Sequence, residues 1–346
     1  MFTAVLLYAV LFPNGVTRPA GLPDAVSRPA ECEVDFADAD RGWLTCGLSG
    51  PSYRTGDGGR SWQRLAWPGK GRVDPHAPGP ASPLRYQLRA GGHGWAAIDE
   101  TVYLTSDAGL SWKRLCSIPV GPSLKDGRLE WLTVGSDESA VLARVSTPDG
   151  PGRFADQLLV SQDAGKTWEK RPLPSGKFEI IQEGRGSVFF LFGKTAAMYS
   201  KDKGRTWADS QFSFAGGHSE HFLGSAQPPL AVVFAGEFHW LLQGEHLFRS
   251  EDQGRSWLEL ARPTQIWPRT PGPGHQRIQF LTVDHGYALG RDGVLRESDD
   301  GGFQWTAIPM AGDQVVSFSC FDVTTCYAIT QGRGLLRVEA TGMGGR

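Results

Sequence analysis

The stretch TGDGGRSW, Thr55–Trp62, decides how the rest of the chain is read. It has the glycine and aspartate of a tight turn, yet it closes on a large apolar indole. The same spelling, S/T-x-D-x-G-x-x-W, returns as TSDAGLSW (Thr105–Trp112), SQDAGKTW (Ser161–Trp168), SKDKGRTW (Ser200–Trp207), SEDQGRSW (Ser250–Trp257) and SDDGGFQW (Ser298–Trp305). The central aspartates Asp57, Asp107, Asp163, Asp202, Asp252 and Asp300 are 50, 56, 39, 50 and 48 residues apart. Spacing of that size marks a repeat architecture. Each position has a physical task. Hydroxyl and carboxylate oxygens accept loop N–H groups, as in Asx and ST turns. Gly59, Gly109, Gly165, Gly204, Gly254 and Gly302 take positive φ where the chain reverses. Trp62, Trp112, Trp168, Trp207, Trp257 and Trp305 are expected to fold back and plug their own hairpins, each burying about 150–250 Å².

The flanks read as strands. Apolar stretches such as VYLT (Val102–Thr105), LLVS (Leu158–Ser161) and LFRS (Leu247–Ser250) precede the boxes, and WKRLCSI (Trp112–Ile118) and WLELA (Trp257–Ala261) follow them. Further upstream, VDFADADRGWLTCG (Val34–Gly47), YQLRAGGHGWAAI (Tyr86–Ile98) and QFLTVDHGYALG (Gln279–Gly290) each read strand, Gly-aromatic turn, strand. Two hairpins per unit of about 50 residues make a four-stranded propeller blade. The 56-residue step contains an enlarged inner hairpin loop, Ser146–Arg153, and the 39-residue step a pared-down blade, Phe178–Trp207. Six boxes give six blades. The tail Gln314–Ala340 adds three strands without a box. The expected fold is therefore all-β: a seven-bladed β-propeller of four-stranded antiparallel blades, with six blades as the alternative. A strand borrowed from the other end of the chain would complete the seventh blade and remove a free sheet edge. Phe2–Leu11 and the stretch near Asp24–Arg28 are the two donors the sequence offers.

Composition agrees. Gly and Pro number 45 and 23, about a fifth of the chain and above ordinary usage, which leaves little room for helices. A formal net charge of −2 with 21% charged residues lacks the basic footprint of a nucleic-acid binder. The apolar run Phe2–Phe12 is too short to span a bilayer as a helix, and no later segment is a membrane-span candidate. It reads either as a signal-peptide core or as a buried strand; no Lys or Arg precedes it and no clean cleavage site follows. Residues 1–30 are thus a signal-like segment or a ring-closing strand, 31–340 one propeller domain, and 341–346 a flexible tail. Cys32 and Cys46 lie equidistant from the middle of one hairpin, and Cys320 and Cys326 do the same around CFDVTTC. Two such placements favour disulfides and an exported protein, periplasmic, envelope-associated or extracellular; reduced, buried cysteine is the other reading. Cys116 is left over, in a strand. No His/Cys spacing fits a zinc site, and neither a metal nor a cofactor is expected.

The boxes resemble the Asp-box, or bacterial neuraminidase repeat, over about Cys32–Val338. In that family the box turns between the third and fourth strands of a blade, away from the ligand face. The resemblance therefore implies a structural role for all eighteen box residues named above. Sialidases of this kind need an early F/Y-R-I-P motif, an arginine triad and a Tyr–Glu pair, and no F/Y-R-I-P precedes Thr55. Other glycosidases on such propellers use paired carboxylates at a cleft; Asp74, Asp99, Glu100, Asp149 and Asp292 lie in segments that would face one. Walker, HExxH and GxSxG motifs are absent, and the HSEH pair His218/His221 reads as a polar loop. Over Phe280–Ile308 the chain looks like the photosystem II assembly and stability factor-like propellers, which implies a scaffold for partner proteins. A second non-enzymatic class, the peptide-binding sortilin propeller, fits less well, because the chain lacks room for its Cys-rich modules and three more blades would be needed. The expected function is a monomeric, non-catalytic binding scaffold for a protein, peptide or glycan, with a glycoside hydrolase as the alternative. The site is expected on the face opposite the boxes. Long Pro/Gly-rich connections carry Arg72, His76, Trp267, Arg269 and His275 there, with His221 on another loop. Trp and Arg are common binding anchors.

Overall fold

The computed structural model describes residues 16–19, 21–24, 26, 28–46, 52–65, 67–68, 85–98, 100–120, 128–148, 154–173, 178–183, 188–193, 197–214, 231–243, 246–260, 278–290, 292–310 and 312–339. After β1 (Val16–Pro19), blade 1 holds β2 (Cys32–Phe36), β3 (Gly42–Cys46), β4 (Ser52–Thr55) and β5 (Gln63–Arg64). Blade 2 holds β6 (Arg85–Leu88), β7 (Gly94–Ile98), β8 (Thr101–Thr105) and β9 (Lys113–Ser117), and blade 3 holds β10 (Arg128–Val134), β11 (Val141–Pro148), β12 (Phe154–Ser161) and β13 (Glu169–Pro172). Blade 4 holds β14 (Phe178–Glu183), β15 (Phe189–Gly193), β16 (Ala197–Ser200) and β17 (Ala208–Asp209). A short strand, β18 (Gln211–Ser213), leads to blade 5, which holds β19 (Ala231–Ala235), β20 (Phe238–Gln243), β21 (His246–Ser250) and β22 (Ser256–Glu259). Blade 6 holds β23 (Ile278–Phe280), β24 (Gly286–Leu289), β25 (Leu295–Ser298) and β26 (Thr306–Ala307), and blade 7 holds β27 (Val315–Asp322), β28 (Thr325–Thr330) and β29 (Gly334–Glu339).

Seven antiparallel sheets result, each meandering from its first strand outward. First strands of neighbouring blades approach one another, as β2 does β27, β10 does β14 and β19 does β23, so they surround the axis. The seventh blade lacks a box, as its sequence requires, and β1 supplies its outer strand by pairing Val16–Pro19 with Leu336–Glu339. Neither expected donor does this. Phe2–Leu11 lies outside the described residues, and Asp24–Arg28 sits in the connection from β1 to β2. The physical reason favours VTRP. An outermost strand is wetted along its free edge, which a β-branched pair ending in proline tolerates better than an unbroken apolar run.

Two further details depart from expectation. The Ser146–Arg153 insertion begins as strand, because β11 runs on to Pro148 and β12 starts at Phe154, each eight residues long; 149–153 lies outside the described residues. Blade 5 has five strands, since β18 pairs in parallel with β22. Phe212 of β18 stacks over Trp257 at 6.2 Å, and Phe248 meets it edge-on at 5.3 Å.

The core lies between blades. Apolar residues of adjacent sheets interleave, as Trp95, Val102 and Cys116 of blade 2 do with Val134, Val141 and Leu159 of blade 3. The Gly-aromatic turns make the most specific of these contacts. Trp43 donates its Nε1–H to the Ala108 carbonyl of the next blade's box at 2.7 Å, and Trp240 does the same to Gly301 at 2.9 Å. At the closure, the Tyr327 hydroxyl donates to the Ala39 carbonyl at 2.8 Å. Trp43 is 1% exposed, so its lost donor would leave a buried carbonyl unsatisfied. Trp43→Phe is expected to destabilise by about 1–3 kcal/mol, read from urea unfolding. An unchanged midpoint would remove this bond from the account of blade-to-blade cohesion.

Candidate functional site

The box turns close as the residue types demand. In the first, the Thr55 hydroxyl donates to Asp57 Oδ1 (2.8 Å) and accepts from the Gly59 N–H (2.9 Å). Asp57 also accepts from the Ser61 N–H (2.9 Å) and hydroxyl (2.6 Å). The same set recurs at Asp107, Asp163, Asp202 and Asp252. The Ser61 hydroxyl foremost holds the Asp57 carboxyl below the usual carboxylate range, and the Thr167 hydroxyl foremost holds Asp163 down to about 2. Such carboxylates are ionised and occupied within their own loops, so they supply neither a proton nor a free base. In the sixth box Gln304 stands where the others have Ser or Thr, and Asp300 accepts only its N–H, at 2.9 Å. Gln304→Thr is expected to add the missing hydroxyl bond and raise stability by about 0.5–1.5 kcal/mol in urea unfolding. A neutral or destabilising result would count against that bond.

The box tryptophans behave differently from the expected plugs. Trp257 alone is fully buried; Trp62, Trp112, Trp168, Trp207 and Trp305 are half-buried at the rim. Trp62 and Trp112 pack between blades or against connecting segments rather than inside one hairpin, whereas Trp305 folds back to donate to the Gly302 carbonyl of its own box at 3.1 Å and meets Phe280 of its own blade at 5.9 Å. Trp112 meets Trp43 of blade 1 at 5.9 Å and Trp67 of the following connection at 5.7 Å. Trp62 donates to the Gly21 carbonyl at 2.7 Å.

Box loops and first-to-second-strand turns share one face. The N–H groups of Gly58, Ala108, Ala164 and Gly301 donate to Asp40, Gly92, Ser139 and Asp284 in those turns, at 2.7–2.9 Å. The second-to-third-strand turns therefore lie on the other face, where the blade connections begin and end. Arg72, His76, His221, Trp267, Arg269 and His275 belong to those connections and lie outside the described residues, as do Asp74, Asp99, Asp149 and His218. Glu100 lies in the turn between β7 and β8 on that face. Asp292 is there too, held below the usual range chiefly by Arg296, which donates at 2.6 and 3.0 Å. Among the described residues, no group of three His, Cys, Asp or Glu side chains is placed to hold a metal.

One group beside the axis escaped the sequence reading. Asp35, on the innermost strand β2, accepts a 3.4 Å hydrogen bond from the Ser319 hydroxyl of blade 7. Surrounding protein strips water from it. That desolvation pushes its carboxyl up to about 7, against the pull of Ser319. Ser317 and Ser319 also accept the Val34 and Phe36 N–H groups at 3.2 and 2.8 Å, so these hydroxyls stitch the first strands of blades 7 and 1. The Asp residue in an alternating strand was visible in the sequence; the facing Ser319, 284 residues away, was not.

Similarity searches agree with this architecture. A structure of YCF48 bound to D1 peptide superposes with a TM-score of 0.55 at 18% identity, covering 96% of this chain and 99% of that one. The chain has the fold of YCF48. YCF48 from Cyanidioschyzon merolae gives 0.53 at 16% identity, covering 94% and 98%. Puromycin hydrolase gives 0.55 at 13% identity, but the match covers 90% of this chain and 53% of the hydrolase. In sequence, the vacuolar protein sorting/targeting protein 10 of Chaetomium globosum is 29% identical over 101 residues, which is 28% of this chain and only 6% of that protein. No protein-family profile matches the chain. Cys32–Cys46 and Cys320–Cys326 are disulfide-bonded and Cys116 is a buried free thiol. The disulfides suggest an oxidising compartment. No helix among the described residues is long and apolar enough to cross a membrane.

Proposed function

We propose that the chain is a non-catalytic scaffold that binds an extended peptide of a partner protein on the face opposite its boxes. Trp267, Arg269, His275, Arg72, His76 and His221 are its contact residues in this reading. A glycan is the other ligand class the loop chemistry admits. The observation that carries it is the state of the carboxylates. The box aspartates are used up by their own turns, and Asp292 is neutralised by Arg296. The likeness to YCF48, one structure of which holds a D1 peptide, supports a peptide over a glycan. The two disulfides support an exported setting, whether periplasmic, envelope-associated or extracellular.

A peptide array, followed by fluorescence anisotropy on the best sequences, tests this. Trp267→Ala/Arg269→Ala is expected to weaken binding about 10- to 100-fold, as loss of two anchors does. Arg60→Ala, on the box face, is expected to leave affinity unchanged. Binding that survives the first variant and fails in the second would place the site on the wrong face. Turnover of a sialoside or other glycoside by the purified protein would replace the scaffold reading with a hydrolase.

A further inference from the structure

The distribution of the disulfides points to a second property, and we propose that Cys32–Cys46 is a reducible clasp controlling closure of the ring. Both disulfides lie in the two blades that meet where the ring closes. Cys32–Cys46 joins β2 to β3 in blade 1, and Cys320–Cys326 joins β27 to β28 in blade 7, each between directly opposed residues. They sit at opposite ends of this junction. Cys32 begins β2 and Cys46 ends β3, on the connection face. Cys320–Cys326 spans the turn on the box face.

This junction is held differently from the others. The chain crosses it through the segment that runs from β1 to β2. The remaining ties include the four β1–β29 residue pairs, the Ser317 and Ser319 hydroxyls on β2, the Tyr327 hydroxyl on the Ala39 carbonyl, Phe36 stacked on Tyr327 at 3.6 Å, and the apolar cluster of Val34, Phe36 and Leu44 with Tyr327, Ile329 and Leu335. Cys32 is the first residue after that segment, immediately following the 3-10 turn Pro29–Glu31. Its bond to Cys46 therefore anchors the root of the closing arm to the blade. With the bond cut, the root of β2 is free to fray, and the arm that carries β1 loses its fixed point.

The two bonds differ in access. Cys46 is half-buried, whereas Cys32, Cys320 and Cys326 are buried. A thiolate attacks a disulfide sulfur along the S–S axis, so access governs which bond opens first. An external dithiol would attack at Cys46, release the Cys32 thiol, and then cyclise to its own disulfide as Cys46 leaves. Two electrons and two protons pass from the dithiol to the protein. Cys320–Cys326 stays out of reach until the junction has opened.

Reduction of the native full-length protein by dithiothreitol, quenched by alkylation and mapped by mass spectrometry, tests the order. Cys32 and Cys46 are expected to be labelled about tenfold or more sooner than Cys320 and Cys326. Hydrogen exchange on the singly reduced species is expected to rise in β1, β29 and β2, while blades 3 to 5 keep their protection. The Cys32→Ser/Cys46→Ser variant is expected to show the same exchange pattern without reductant. Earlier or simultaneous labelling of Cys320 and Cys326 would overturn the proposal. So would exchange that stays unchanged at β1 and β29, or that rises evenly around the ring. Should the variant fail to fold, the wild-type reduction still decides.

Discussion

Gly254→Ala is expected to destabilise the protein by about 3 kcal/mol or more, several times the effect of Gly312→Ala. The two glycines share one backbone conformation, with φ of +83° at each. A β-carbon at Gly312 meets nothing within 4 Å, so only the left-handed backbone strain of about 1 kcal/mol applies there. At Gly254 the same carbon would lie 2.0 Å from Cε1 of Phe190, a fully buried ring of the preceding blade. The ring sits between Phe192, His239 and Trp257 and has little room to give. Urea unfolding of both variants measures the difference. Phe190→Leu combined with Gly254→Ala should recover part of the loss, giving a favourable coupling energy in the double-mutant cycle. Equal destabilisation at the two glycines would show that the box glycine serves its turn alone.

Asp35 gives the second large effect, through pH. Its carboxyl titrates at about 7 in the folded protein because burial disfavours the charge, against about 3.9 in an unfolded chain. The groups that act with it are Ser319 on β27 and, through its charge, Tyr86 on β6. Burial and then Glu33 push the Tyr86 phenol above its usual range, so Tyr86 stays neutral throughout. Below pH 4 Asp35 is protonated in both states and does not disturb folding. Between pH 4 and 7 the unfolded state releases the proton first, so stability falls as pH rises, and the loss is complete above about 7. The three-unit difference corresponds to at most about 4 kcal/mol. Asp35→Asn should match the wild type near pH 4 and exceed it by a few kcal/mol at pH 8, read from urea unfolding at both. Parallel pH curves for the two proteins would refute the assignment.

The box turns were legible because their chemistry is local. Thr55, Asp57, Gly59 and Ser61 satisfy one another within seven residues, and the same holds in the other boxes. Blade count followed from box count and from three strands left over at the end. The face that carries the box turns followed from strand order alone. Hairpin geometry likewise placed Cys32 opposite Cys46 and Cys320 opposite Cys326. The tryptophans were misread in one respect. Their position in a hairpin is local, but partners such as Trp43, Trp67, Phe190 and Phe212 belong to other blades or connections.

By itself, then, the order of residues determined seven radial sheets, six of them turned by a self-sufficient Ser/Thr–Asp–Gly loop, and two cystine-bridged hairpins. Tertiary structure alone decided which four residues close the ring, why Gly254 tolerates no side chain, and that Asp35 sits beside Ser319. The division has one cause. Hydrogen bonds inside an eight-residue turn are satisfied wherever that turn occurs, whereas the pairings that close the ring join segments up to 323 residues apart, as Val16 and Glu339 are, and exist only once the ring has formed.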